Sequence, residues 1–133
     1  MLKILDFPTS APLTNFDCSN NLLVELELPV GIVWPENRIL QNLYCSNNQL
    51  KKLYISNCTV LRSLNCSNNQ LEILDVSDCV KLYELNCRNN LLTSIDVSKN
   101  LNLGKLLCSQ STLKEVLKSE TQKFDCDSSV LSN

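Results

Sequence analysis

The sequence predicts a repeat solenoid in which successive coils of equal length stack on one another. Three observations carry the prediction. Leu40, Leu61, Leu82 and Leu103 are evenly spaced at a period of 21, and Cys45, Cys66, Cys87 and Cys108 recur at the same interval. The phrase LYCSNNQL at 43–50 also returns as LNCSNNQL at 64–71 and as LNCRNNLL at 85–92. Self-similarity at a fixed period of a few tens of residues is the signature of a stacked array, because one repeat cannot bury its own apolar face.

Taken in order, residues 1–12 precede the pattern and read as an N-terminal cap, with Asp6, Pro8 and Pro12 interrupting any long apolar run. Residues 13–28, LTNFDCSNNLLVELEL, form a first copy with Phe16 in place of a leucine. The step from Cys18 to Cys45 is longer than the period, and the excess falls in the insertion PVGIVWPEN at 29–37. Regular copies follow from Leu40 and fade in the copy that ends near 118, where Lys118 replaces the Ile55, Val76 and Val97 of the earlier ones. Residues 119–133 hold a degenerate last repeat and tail, with FDCDSSVL at 124–131 aligning Cys126 to the cysteine column after a shortened repeat. The whole chain reads as a single domain, 133 residues being too few for two cores.

Each repeat is itself two nested halves. LEILDVSDC at 71–79 restates the leucine spacing of the first half, which puts Cys58 and Cys79 at the place that Asn100 takes one unit later. In such a coil the leucines point inward, and a thiol, a small hydrophobe, fits the same interior where a leucine would crowd the turn. The asparagine three residues on, at Asn48, Asn69 and Asn90, can bond backbone groups released where the strand ends. Asn47, Asn68 and Asn89 should face outward instead.

The pattern L-x-x-L-x-C-x-x-N-x-L-x-x-L-x-V-S resembles a leucine-rich repeat. In its period and inner cysteine it is similar to the repeats of internalin J and related bacterial surface proteins. The resemblance covers roughly residues 13–118. It implies a right-handed, mainly β coil with one short parallel strand per repeat, centred on Leu43, Leu64, Leu85 and Leu106, and an irregular or short helical convex side. It also implies a function in binding other macromolecules.

Composition narrows the chemistry. The formal net charge is −2, and no basic cluster extends beyond Lys51 and Lys52, so nucleic acid is not an expected partner. The most apolar window, 22–34, is broken by Glu25, Glu27, Pro29 and Gly31, so membrane insertion is not expected. As it stands the chain reads as cytoplasmic, and as secreted or surface-bound if a signal was removed. Neighbouring parallel strands lie about 4.8 Å apart, which suits disulfide geometry poorly, so the cysteines are expected as buried thiols. No C-x₂₋₄-C pair is present to suggest zinc, and without histidine the thiols lack the usual base. Glu27, Asp75 and Asp96 share a register with Tyr54 and Leu117. Stacked carboxylates can hold calcium, but an Asp before Val-Ser is expected to bond its own turn or lie solvated. The expectation is a non-enzymatic chain with no cofactor and no metal.

Function then rests on the outward positions beside each strand leucine. One column reads Asn15, Asn42, Ser63, Glu84 and Lys105, and the other Asp17, Tyr44, Asn65, Asn86 and Leu107. These lie on the expected concave sheet and are free to vary, so they are the candidate partner-binding residues, for a protein first and a glycan second. Trp34, the one tryptophan, sits in the insertion and is a further candidate contact, with an alternative role covering the edge of the first coils. Association of copies through the solenoid ends or the Trp34 loop, giving a homodimer or larger assembly, is the competing reading.

Overall fold

The structure is a computed structural model and describes residues 13–28, 40–56, 58–109 and 112–127. It is a parallel β-solenoid, with no helix among the described residues. Ten short strands form among them: β1 (Asn15–Asp17), β2 (Glu25–Glu27), β3 (Asn42–Tyr44), β4 (Lys52–Tyr54), β5 (Ser63–Asn65), β6 (Glu84–Asn86), β7 (Ser94–Asp96), β8 (Lys105–Leu107), β9 (Glu115–Leu117) and β10 (Asp125–Cys126). The strands of the first half-repeats build one six-stranded sheet in the order β1-β3-β5-β6-β8-β10. Each strand is three residues or fewer, because only its middle residue turns inward before the chain must bend around the core.

Register follows the sequence period through the regular part of the array. Leu43 lies opposite Leu64, Leu64 opposite Leu85, and Leu85 opposite Leu106. All four are fully buried, as are Cys45, Cys66, Cys87 and Cys108 two residues beyond them. Burying one leucine contributes about 1.5–3 kcal/mol, so stacked files of them are the main support of an array without helices. β1 pairs directly with β3, Phe16 opposite Leu43, so the extra residues between the first two copies do not disturb their stacking. The insertion itself, with Trp34 and its expected capping role, lies outside the described residues, as does the cap at 1–12.

At the other end the register departs from the expectation. Cys126 lies opposite Leu106, not Cys108, and Asp125 lies opposite Lys105. Aligning Cys126 with Cys108 would leave the coil three residues short of its neighbours, a deficit of roughly 10 Å of extended chain. Instead the coil runs from Leu106 to Cys126, one residue short of the full period, which carries Cys126 into the leucine file. The likeness of FDC at 124–126 to NFDC at 15–18 is therefore not a likeness of position.

The second half-repeats form two smaller ladders. β2 pairs with β4 and β7 with β9, whereas residues 73–75, at the equivalent register, join neither. Leu74 still fills the core while Ile73 is 79% exposed. Cys58 and Cys79 do share a place with Asn100: the backbone N–H of each donates to the carbonyl three residues back, of Ile55, Val76 or Val97. Asn100 also donates through Nδ2 to the Val76 and Cys79 carbonyls of the previous coil, at 2.8 and 2.9 Å. Gln122 repeats this one coil later, donating to the Val97 and Asn100 carbonyls at 2.8 and 2.9 Å.

Candidate functional site

The asparagine doublets fix how each strand of the six-stranded sheet ends, and so how its outward residues are presented. The second asparagine is the internal one. Asn69 donates through Nδ2 to the carbonyls of Cys45 and Cys66, both at 3.0 Å, and accepts from the Leu50 N–H at 2.9 Å. Asn90 does the same one coil on, with Cys66, Cys87 and Leu71, and Asn48 one coil back, with Cys18, Cys45 and Leu23. Each amide thus ties its own coil to the preceding one, as the sequence reading expects.

The first asparagine faces outward and has a second role that the sequence reading missed. Asn20, Asn47, Asn68 and Asn89 all have φ between 53° and 60°. This left-handed conformation penalises a Cβ, and asparagine is the side chain that tolerates it best after glycine. Their amides also stack along the array, Asn47 donating to Asn20 at 3.1 Å, Asn68 to Asn47 at 2.8 Å and Asn89 to Asn68 at 2.7 Å. The signal was available: a chain with 2 glycines and four such turns must place another residue at positive φ.

Between these turns the two predicted columns do come together as neighbouring files on the six-stranded sheet. In the first, Asn42 donates to the Asn15 side chain, Ser63 is half-buried, and Lys105 pairs with Glu84 at 2.9 Å. In the second, Tyr44 is 36% exposed, and Leu107 is half-buried. Asn65 and Asn86 are partly committed to their own turns. Asn65 Oδ1 accepts from the N–H and the hydroxyl of Ser67 at 3.2 and 2.8 Å, and Asn86 Oδ1 accepts from the Arg88 N–H at 3.3 Å. Asp17 accepts from Ser19 N–H in the same way. Trp34 lies outside the described residues.

The other acidic column behaves as expected of turn residues. Asp75 and Asp96 each accept the N–H of the serine two residues on, at 2.9 Å. Hydrogen bonds from Ser77 and Ser98 hold both carboxyls below the ordinary range.

The thiols form a dry file. Burial pushes Cys18 and Cys58 up to about 11 and Cys79 to about 12, and also raises Cys45, Cys66 and Cys87 well above the ordinary thiol value. Thiols so held stay protonated at neutral pH, and the protonated form is a poor nucleophile. The shifted last register brings Cys126 Sγ to 3.6 Å from Cys108 Sγ, with the Asp127 carboxylate beside them. That carboxylate is already engaged, accepting from the Cys108 and Ser109 N–H groups at 2.7 and 3.1 Å and pairing with Arg88. It takes the Ser109 N–H as Asp17, Asn65 and Asn86 take the equivalent N–H in earlier coils, and the Cys108 N–H where Cys45, Cys66 and Cys87 donate to a backbone carbonyl of the next coil.

No family model and no curated protein matches the chain. Among solved structures it is similar to the functional domain of InlJ from Listeria monocytogenes, described as including a cysteine ladder. The two share 28% identity at a TM-score of 0.64 over 87% of this chain. The match spans 28% of the length of that chain. With leucines and thiols in register from coil to coil, the protein is a parallel β-solenoid that resembles the cysteine-ladder domain of InlJ in both sequence and structure.

Proposed function

We propose that the chain is a non-enzymatic recognition module that binds a protein partner on the outward face of its six-stranded sheet. One observation carries the reading. The inward residues Leu43, Leu64, Leu85 and Leu106 of that sheet repeat and are fully buried, while the two outward files beside them mix asparagine with Tyr44, Ser63, Glu84, Lys105 and Leu107. A repeat array is held by its interior, so variation confined to one regular face is where specificity can be written. The absence of histidine from the sequence and the protonation of the buried thiols support a binding rather than a catalytic role.

Tyr44 is the aromatic anchor of the surface and Asn65 lies opposite it on the next strand. Capture of a partner by the intact chain should be lost in the double variant Tyr44→Ala/Asn65→Ala, assayed well below an unfolding midpoint that the lost Asn65–Ser67 bonds lower only slightly. Equal capture by the two proteins, or a change of oligomeric mass in light scattering as the sole effect, would count against the reading.

A further inference from the structure

A second surface lies along the rim of the six-stranded sheet, just before each strand begins. It is built from the residues flanking the period leucines, in the triplets Val60-Leu61-Arg62, Lys81-Leu82-Tyr83 and Asn102-Leu103-Gly104. Leu61, Leu82 and Leu103 are buried, so their neighbours on both sides point outward, and the parallel stacking sets them side by side. The result is a groove of about 670 Å³, within the size range of ligand sites. Among the described residues, Gln41, Arg62, Lys81 and Tyr83 line it and no carboxylate does.

Three features give the groove a chemical preference. First, Arg62 and Lys81 are exposed and belong to neither of the ion pairs among the described residues, which are Arg88 with Asp127 and Lys105 with Glu84. A chain of net charge −2 thus concentrates in one groove two cations that have no ion-pair partner among the described residues. A guanidinium suits the paired oxygens of a carboxylate or sulfate, and the ammonium adds a point charge.

Second, Tyr83 is 62% exposed and its ring is seated on Gly104. A Cβ at residue 104 would come within 2.6 Å of Tyr83 Cε2 and 2.8 Å of Cζ. One of the 2 glycines of the sequence therefore makes the room that lets the ring lie along the groove. An exposed ring held by its backing is a platform for an amphipathic ring.

Third, the backbone groups of Gln41, Arg62 and Tyr83 are consumed by the solenoid itself. The Gln41 carbonyl accepts from Arg62 and Ser63 N–H, the Arg62 carbonyl from Tyr83 and Glu84, and the Tyr83 carbonyl from Gly104 and Lys105, at 2.7–3.0 Å. An extended peptide gains its affinity for a sheet from main-chain pairing at a free edge, and the Gln41, Arg62 and Tyr83 backbone groups that border the sheet here are already paired. Recognition must come from side chains: two cations, an aromatic face and an amide.

We propose that this rim groove binds an anionic saccharide, one sugar ring packing on Tyr83 and its carboxylate or sulfate held by Arg62 and Lys81. The site is separate from the outward columns of the sheet and does not depend on the partner reading given above.

Titration calorimetry at low salt, with four probes, tests the assignment. These are a tetragalacturonate, a chondroitin sulfate tetrasaccharide, neutral maltotetraose and hexaglutamate. At least one anionic saccharide should bind, the first showing that carboxylate suffices and the second alone that sulfate is needed. The double variant Arg62→Gln/Lys81→Gln should weaken that binding roughly tenfold or more, and salt should weaken it in the wild type. Tyr83→Leu and Gly104→Ala should each weaken it several-fold without changing its salt dependence, whereas Tyr44→Ala/Asn65→Ala should leave it unchanged. Arg62, Lys81 and Tyr83 are exposed, so their variants should keep the wild-type unfolding midpoint; should Gly104→Ala fail to fold, Tyr83→Leu decides the role of the ring. Maltotetraose binding as tightly as the charged sugars, hexaglutamate binding as tightly, or full affinity in the Arg62/Lys81 variant would each overturn the proposal. So would the failure of both anionic saccharides to bind.

Discussion

Replacing Asn69 by alanine should be among the most damaging single changes available outside the leucine files, and its cost can be worked from the bonds it breaks. The residue is 8% exposed and its side chain joins four backbone groups in two coils, of which the Ser67 carbonyl, at 3.3 Å, keeps the Asn47 N–H as its partner. The Leu50 N–H loses its partner outright, and a buried donor left unpaired costs about 1–3 kcal/mol. The Cys45 and Cys66 carbonyls fare better, since each also accepts from a neighbouring asparagine, Asn48 and Asn90 respectively. Each of those two losses costs about 0.5–1.5 kcal/mol, so the total is about 2–6 kcal/mol. With a urea dependence near 2 kcal/mol per molar for a chain of this size, the unfolding midpoint should fall by roughly 1–3 M. The control is next door. Asn68→Ala removes only exposed amide contacts and leaves at φ 55° a Cβ without the polar amide that lets asparagine tolerate that conformation, a cost of about 1–2 kcal/mol, and Asn68→Gly should be close to neutral because glycine takes that conformation freely. Urea titrations followed by far-UV circular dichroism would rank the three variants. If Asn69→Ala were no worse than Asn68→Ala, the division of the doublet into an internal tie and an outward turn would be wrong.

Two further outcomes follow from the titratable groups. The buried thiols have folded values raised above 9.0, to about 11 for Cys18 and Cys58 and about 12 for Cys79. Above pH 9 the unfolded chain therefore holds fewer protons than the native one. The stabilisation is complete below pH 9 and is lost as pH climbs through the folded values, with a limiting slope of about 1.4 kcal/mol per pH unit for each thiol. Urea midpoints between pH 7 and 10.5 under reducing conditions should fall accordingly, less steeply in Cys79→Ala, and a flat profile would contradict the dry thiol file. Asp127 shifts the other way: burial would raise it, but the Cys108 N–H and Arg88 outweigh burial and hold it below 3.8. Its contribution is therefore present above that value and disappears as pH falls below it. Asp127→Ala should lower the hydrogen-exchange protection of the Cys108 and Ser109 amides while leaving Cys66 protected; equal protection at Cys108 would refute the role given to Asp127.

What the sequence determined by itself was the interior. A leucine or thiol that returns once in every period has one way to be buried repeatedly, which is against its own copies, so Leu43, Leu64, Leu85 and Leu106 and the thiols two residues beyond could be placed without coordinates. Asn48, Asn69 and Asn90 were legible for the same reason, their partners being backbone groups of the repeat itself. The outward columns were legible as positions, because strand alternation assigns them, but not in their local ties: that Asn65 and Asn86 already serve their own turns depends on how the chain bends after each strand. Three-dimensional closure alone decided the rest. The length needed to complete a coil overrode the local likeness of FDC at 124–126 and moved Cys126 opposite Leu106. The rim groove, too, emerges only when Arg62, Lys81 and Tyr83 are stacked and Tyr83 settles on Gly104. Periodicity is a property of one dimension and names what must repeat; distances across and between coils are properties of the closed array, and they decide where the repetition gives way.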